Sequence, residues 1–313
     1  MIDMGLTSSK PRMPQQPEIT KTYIDPVNCV YANPLWKDMA VCFVYFNPAN
    51  SKRILMNYLY TVEKLRLAGI PYYTMELVFS KPEIVGAFHV RGSSHLFHKE
   101  RLCKLLERRV PWRYTKLLFL DADIIFARPT WYSDLSRALN TYQVVHPFSS
   151  ACWLDPTYKQ VTDERLSVVF MDRKKPYNPA YHPGFGWAFQ RSWFRRNGFF
   201  EYGITGSGDT LSSSAWLGVE FLPSYLKAAL KPAYTEFKKR PLPSIGCIEG
   251  TIYHLWHGSR KNRKYQERHL ILDGVDDVRK ILKENRDGVF EVSDNKVRDK
   301  LMVYFKERDD DGF

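Results

Sequence analysis

Two aspartates stand two residues apart where an apolar run breaks: Lys116-Leu117-Leu118-Phe119-Leu120-Asp121-Ala122-Asp123-Ile124-Ile125-Phe126. Burying one carboxylate at a strand end is costly, and burying two is costlier. A divalent cation removes that cost, because hard metals favour carboxylate oxygens and can join them to a diphosphate. Exposed turn aspartates are the plain alternative, and the apolar run ahead of the pair argues against it. A further carboxylate, Asp209, follows Gly206-Ser207-Gly208, where glycines let the backbone pass close to a ligand. It can take a proton from an attacking hydroxyl, or cap the helix expected over Thr210 to Leu217. His254 and His257 form an i, i+3 pair able to clamp a metal. Arg260, Lys261, Arg263, Lys264 and Arg268 follow them, cations suited to a diphosphate.

The elements that must position these residues are legible around them. Met39 to Phe46 is a continuous apolar run, as expected of a strand buried on both faces. Ser51 can cap a helix running to about Ala68, with Gly69 stopping it, and Tyr72 to Phe79 reads as a second strand. That β-α-β unit implies a parallel sheet with a right-handed crossover. His95 to Arg109 reads as an amphipathic helix, and Gln143 to Pro147 as a short strand. In an open α/β sheet ligands bind at the carboxyl ends of the strands, where Asp121 and Asp123 lie. Residues 1–37 carry five prolines and read as an extended arm. Residues 273–308 read as one or two polar helices.

Composition bounds the rest. With 313 residues, 44% hydrophobic and 26% charged, the chain is neither disordered nor collagen-like. The apolar run of residues 40–46 is far short of the roughly 20 residues of a membrane span. Five widely spaced cysteines with no CxxC pair point to reduced thiols. The formal charge of +12 suggests a nucleic-acid binder until it is located. Arg91–Lys116 carries eight basic and two acidic residues, and Arg165–Arg196 seven and one, so these two stretches account for the excess. Two internal basic segments fit an anionic ligand held between them, such as a phosphate ester; solvated helix faces are the alternative.

The order β-α-β, amphipathic helix, then Leu117-Leu118-Phe119-Leu120-Asp121-Ala122-Asp123 resembles the GT-A nucleotide-sugar glycosyltransferases over about residues 38–270. The likeness extends through His182-Pro183-Gly184-Phe185-Gly186-Trp187-Ala188-Phe189, Asn197-Gly198-Phe199 and Gly206-Ser207-Gly208-Asp209, and is greatest to the β-1,4-galactosyltransferase family. It implies an α/β, Rossmann-like mixed sheet flanked by helices in one two-lobed domain. Residues 38–150 would be the nucleotide-sugar half and 151–272 the acceptor and catalytic half, between the arm and a helical tail over 273–313. It also implies Mn²⁺ or Mg²⁺ on Asp123, His257 and Asp121. His254 stands where that family has Met. Asp209 would be the base of an inverting displacement.

By the same resemblance Tyr45, Phe46 and Asn47 meet the nucleotide. Lys99, Arg101, Lys104, Asp121, Ala122, Arg260 and Arg263 contact its phosphates or base. Gly186, Trp187 and Gly208 would line the acceptor side, with a place in the core as the alternative for Trp187. The expected donor is a UDP-sugar rather than a GDP-sugar, and the acceptor a glycan or glycoprotein. The expected enzyme is a hexosyl- or pentosyltransferase with no nucleic-acid partner and no membrane span. The expected setting is cytoplasmic, bacterial or virus-encoded, as in the soluble transferases of algal chloroviruses. A retaining GT-A enzyme and a non-catalytic nucleotide-sugar-binding protein remain as alternatives.

Overall fold

The computed structural model describes residues 25–172, 178–219, 226–259 and 261–312. Most of the expected arm, the basic residues 173–175 and Arg260 lie outside the described residues.

The apolar run becomes β1 (Met39–Phe46). Ser51 caps α1 (Lys52–Leu67) by accepting from the Ile54 N–H at 3.2 Å, and Gly69, at φ 61°, ends it. β2 (Tyr72–Val78) returns parallel to β1, and β3 (Phe88–Arg91) extends the sheet. α2 (Lys99–Glu107) starts later than the expected His95, because Glu291 holds the Ser93 and Ser94 N–H groups just ahead of it. β4 (Lys116–Leu120) lies parallel to β1 on its other side. There follow β5 (Ile124–Phe126), α3 (Trp131–Ala138), β6 (Val144–His146), β7 (Ser150–Leu154), β8 (Val161–Ser167) and β9 (Tyr181–His182). The second half continues with β10 (Gly186–Gln190), α4 (Arg191–Asn197), α5 (Gly208–Leu217), α6 (Lys231–Phe237), β11 (Ile245–Cys247) and β12 (Thr251–His254).

Two sheets result. The larger has the order β11-β6-β10-β4-β1-β2-β3 and is mixed, because β10 runs antiparallel to both β4 and β6. The smaller has the order β5-β12-β7-β8-β9. The fold is the expected mixed α/β arrangement. Residues on either side of position 150 share both sheets, since β4 pairs with β10 and β5 with β12.

The two-residue period of β4 divides its side chains between two cores. Leu117 and Phe119 join Phe189, Phe194 and Phe199 on one face, and Leu118 and Leu120 join Phe43 and Trp131 on the other. Each such side chain contributes about 1.5–3 kcal/mol by burial. This packing makes the end of β4 a rigid platform. All five cysteines are buried free thiols. Among the described residues no helix is long and apolar enough to cross a membrane.

The C-terminal part departs from expectation. Residues 273–308 hold a hairpin, β13 (Leu282–Glu284) with β14 (Phe290–Val292), and only one α-helix, α7 (Asn295–Glu307). Gly288, at φ 80°, turns the hairpin. Nor is α7 a polar helix: Val297, Leu301, Tyr304 and Phe305 recur at helical spacing and are buried. The Phe305 ring lies 5.1 Å from that of Phe97, next to the start of α2.

Candidate active site

The backbone passes from the larger sheet to the smaller one across Asp121-Ala122-Asp123. The antiparallel register of β12 on β5 sets His254 opposite Ile124, and the Leu255 N–H donates to the Asp123 carbonyl at 2.8 Å. Sheet pairing thus delivers the late histidines to the second aspartate. His257 Nε2 lies 2.8 Å and His254 Nε2 3.3 Å from Asp123 Oδ2.

A cavity of about 430 Å³ opens here, where β1 and β4 end. Its size suits a small-molecule ligand. Val44 and Phe46 come from β1, Lys99 and Glu100 from the first turn of α2, and Asp209 and Thr210 from the first turn of α5. Gly206, at φ 94°, holds a backbone conformation that side chains rarely adopt, and a Cβ there would stand 2.5 Å from the Arg268 guanidinium. Phe185 holds a strained φ of 76° and stacks on His254, with ring centroids 4.8 Å apart.

Asp123, His254 and His257 offer ligand atoms that all lie within 4.8 Å of one another. Asp123 Oδ1 is buried with no hydrogen-bond partner among the described residues. Burial alone would raise the Asp123 carboxyl, but the two histidines hold it well below the usual carboxylate range. Burial pushes His254 down to about 4, so its ring is neutral near pH 7 and carries a free lone pair. One carboxylate and two imidazoles fit a divalent transition metal. Asp121 stands apart from this set, because its carboxylate is engaged by Lys99 Nζ. Burial pushes Asp121 up to about 6, against the lowering effect of Lys99. Burial likewise drives Glu100 up to about 8.

Facing these carboxylates are Arg263, Arg268 and Arg308. Arg263 Nη2 donates to His257 Nε2 at 2.9 Å and to the His257 carbonyl at 2.8 Å. Arg268 lies over the Phe97 and Tyr265 rings and donates to Ser207 Oγ at 3.3 Å. The Nε–H groups of Arg263 and Arg268 are buried without partners among the described residues. Such donors call for an acceptor-rich ligand, and phosphate oxygens match them.

Asp209 Oδ1 accepts from the Thr210 N–H at 2.7 Å. Its Oδ2 lies 2.6 Å, and His182 Nε2 3.0 Å, from where a Cβ on Gly184 would stand. His182 Nε2 is buried and has no partner among the described residues. Burial, with Arg165 nearby, holds the His182 ring well below its ordinary value, so it is neutral.

The structure therefore gathers Phe46, Lys99, Asp121, Ala122, Asp123, Asp209, His254, His257 and Arg263 around one cavity. It sets the other expected residues elsewhere. Tyr45 points to the opposite face of β1 from Phe46 and bonds Glu83, and Asn47 ties the next turn through Ser51. Arg101 and Lys104 both pair with Glu201 instead. Trp187 is core, stacked on His146 with its Nε1–H donating to the Pro183 carbonyl. Gly186 packs under Leu120, and Gly208 abuts the Glu100 carboxylate. Trp153, His182, Tyr265 and Arg308 line the cavity without having been expected to, and Arg165 brings the second basic stretch to it. The basic stretches supply few of its cations. Arg191 and Arg195, for example, are spent on Glu107.

No family model matches the chain, and no curated protein matches it. Solved structures resemble it distantly. The catalytic domain of Drosophila β1,4-galactosyltransferase 7, in complex with xylobiose, is 12% identical with a TM-score of 0.35; the match spans 58% of this chain and 63% of that one. The chain thus spans under two thirds of that domain. Glucosyl-3-phosphoglycerate synthase from Mycobacterium tuberculosis, with Mg²⁺ and UDP, is 13% identical with a TM-score of 0.35 over 80% of this chain and 89% of that one. The 4-diphosphocytidyl-2C-methyl-D-erythritol synthase of Anaerococcus prevotii is 14% identical with a TM-score of 0.33, over 68% and 89%. Likeness of this degree carries no functional argument, which falls to the site itself.

Proposed function

We propose that the protein is a metal-dependent glycosyltransferase that moves a sugar from a UDP-sugar to a hydroxyl of a glycan or glycoprotein. One observation carries this reading: a carboxylate-imidazole cation set, a group of arginines with unmet donors, and a separate carboxylate at a helix start share one cavity at the strand ends. Asp123, His254 and His257 would hold Mn²⁺, which when bound supplies Lewis-acid stabilisation of the leaving diphosphate. Arg263, Arg268 and Arg308 bind and orient the diphosphate and offset the charge that grows on it. Asp209 Oδ2 accepts the acceptor's hydroxyl proton. The hydroxyl oxygen then bonds to the anomeric carbon as the bond to phosphate breaks, and UDP departs with the electron pair. Direct displacement of this kind inverts the anomeric centre.

The nucleic-acid alternative loses support, since Lys99, Arg101, Lys104, Lys116, Arg165, Arg191 and Arg195 of the two basic stretches are held by carboxylates. The reading includes a protein that works in the cytoplasm. Asp209→Asn tests it: transfer should be lost while stabilisation by the donor persists. Unchanged turnover would remove Asp209 from the mechanism. The product's anomeric configuration, read by NMR, separates inversion from retention.

A further inference from the structure

The last residues of the chain reach back to the cation set. After α7, Asp310 is buried, and its Oδ1 accepts from Arg308 Nη2 at 2.9 Å. The same oxygen lies 3.4 Å from His257 Nδ1. Asp311 binds the start of α1: its Oδ1 accepts from Ser51 Oγ at 2.7 Å and from the Arg53 N–H at 2.8 Å, and its Oδ2 from the Lys52 N–H at 3.3 Å. The Asp309 carbonyl lies 2.5 Å from where a Cβ on Gly258 would stand, so the segment presses directly on the turn that follows His257.

We propose that residues 308–312 form a strap that completes the cation site, with Asp310 as the positioning residue for His257. This rests on reading Asp123, His254 and His257 as cation ligands. The hydrogen bonds around His257 determine its tautomer. Arg263 Nη2, which can only donate, lies 2.9 Å from Nε2, and the proposal accordingly places the ring proton on Nδ1. Asp310 is the acceptor that faces Nδ1. With the proton there, the Nε2 lone pair faces Asp123 Oδ2 at 2.8 Å, two electron-rich atoms that a shared cation would reconcile. A carboxylate behind a ligating imidazole fixes ring orientation and raises ligand basicity. Asp311 anchors the strap to the start of α1, whose Ile54 and Asn57 line the cavity.

The test is Mn²⁺ uptake by the full chain without nucleotide, read from the free-ion paramagnetic resonance signal, beside the nitrogen NMR of metal-free protein with His257 assigned by a His257→Gln variant. Asp310→Ala should weaken Mn²⁺ binding about 10- to 100-fold, the usual cost of losing such a partner. Asp310→Asn, whose carbonyl still accepts from Nδ1–H, should stay within a few-fold of wild type, and both variants should melt close to it. Wild-type His257 should carry its proton on Nδ1. A wild-type proton on Nε2, or Ala and wild type binding Mn²⁺ equally, overturns the strap's role while leaving the metal reading intact. Wild-type protein that takes up no Mn²⁺ overturns the metal reading and the proposal with it.

Discussion

Gly184→Ala probes the proposed base without touching it. The new Cβ would stand 2.6 Å from Asp209 Oδ2 and 3.0 Å from His182 Nε2. Carbon and oxygen approach to roughly 3.3 Å in ordinary contact, so the carboxylate must retreat by about 0.7 Å. Gly184 does not occupy the left-handed region, and the atoms in its way are side-chain ends, so the backbone accepts alanine. The fold should lose little; fewer unfolded conformations could even stabilise it by about 0.4–1 kcal/mol. A shift approaching 1 Å from productive geometry costs about 100-fold in rate. That equals about 2.7 kcal/mol of transition-state stabilisation. The assay is UDP release at saturating donor, with Asp209→Asn run beside it. kcat should fall about 100-fold with donor KM unchanged. A Gly184→Ala enzyme with wild-type kcat would refute the placement of the base. So would a loss of rate in Gly184→Ala that Asp209→Asn does not share.

Two further outcomes follow from the same geometry. Arg268→Met keeps the packing over Phe97 but removes the charge, so UDP affinity should fall about 10- to 100-fold, the loss expected for a charge-assisted contact; calorimetry showing wild-type affinity would contradict it. His98, His146 and His269 are buried, and burial lowers them to about 4, about 3 and about 3. The unfolded chain therefore takes up protons below about pH 6.5 that the folded one refuses, so stability holds above that pH and falls below it. The slope is about 1.4 kcal/mol per pH unit for each histidine, or about 4 for the three, until the folded values near pH 4 are reached. Urea midpoints at pH 7.5, 6 and 5 measure this, and a flat profile would contradict it.

The sequence announced the cation set because Asp123 interrupts an apolar run and His254 and His257 form an i, i+3 pair. Asp121 and Asp123 end an apolar strand, and His254 closes another. What pairing brings together was less legible. Tyr45 and Phe46 are neighbours in sequence, yet the two-residue period of β1 sends them to opposite faces, and only the packed sheet reveals which face meets the ligand. Trp187 and Trp153 both lie in short buried strands; the second lines the cavity, while the first stacks on His146 in the core. The basic stretch over residues 91–116 looked like a ligand site, but Arg101 and Lys104 are absorbed by Glu201, about 100 residues away. Arg308 and Asp310 carried no local signal at all. A helix rich in charge hid the apolar stripe that docks α7 and brings the chain's end to the site.

In the proposed mechanism Asp123, His254 and His257 bind a divalent cation that in turn holds a nucleoside diphosphate. Titration calorimetry of UDP with and without Mn²⁺ tests it most directly. UDP should bind at least about tenfold more tightly with Mn²⁺ present, and Asp123→Ala should erase that gain without unfolding the protein. UDP binding indifferent to Mn²⁺, or a gain that survives in Asp123→Ala, would contradict it.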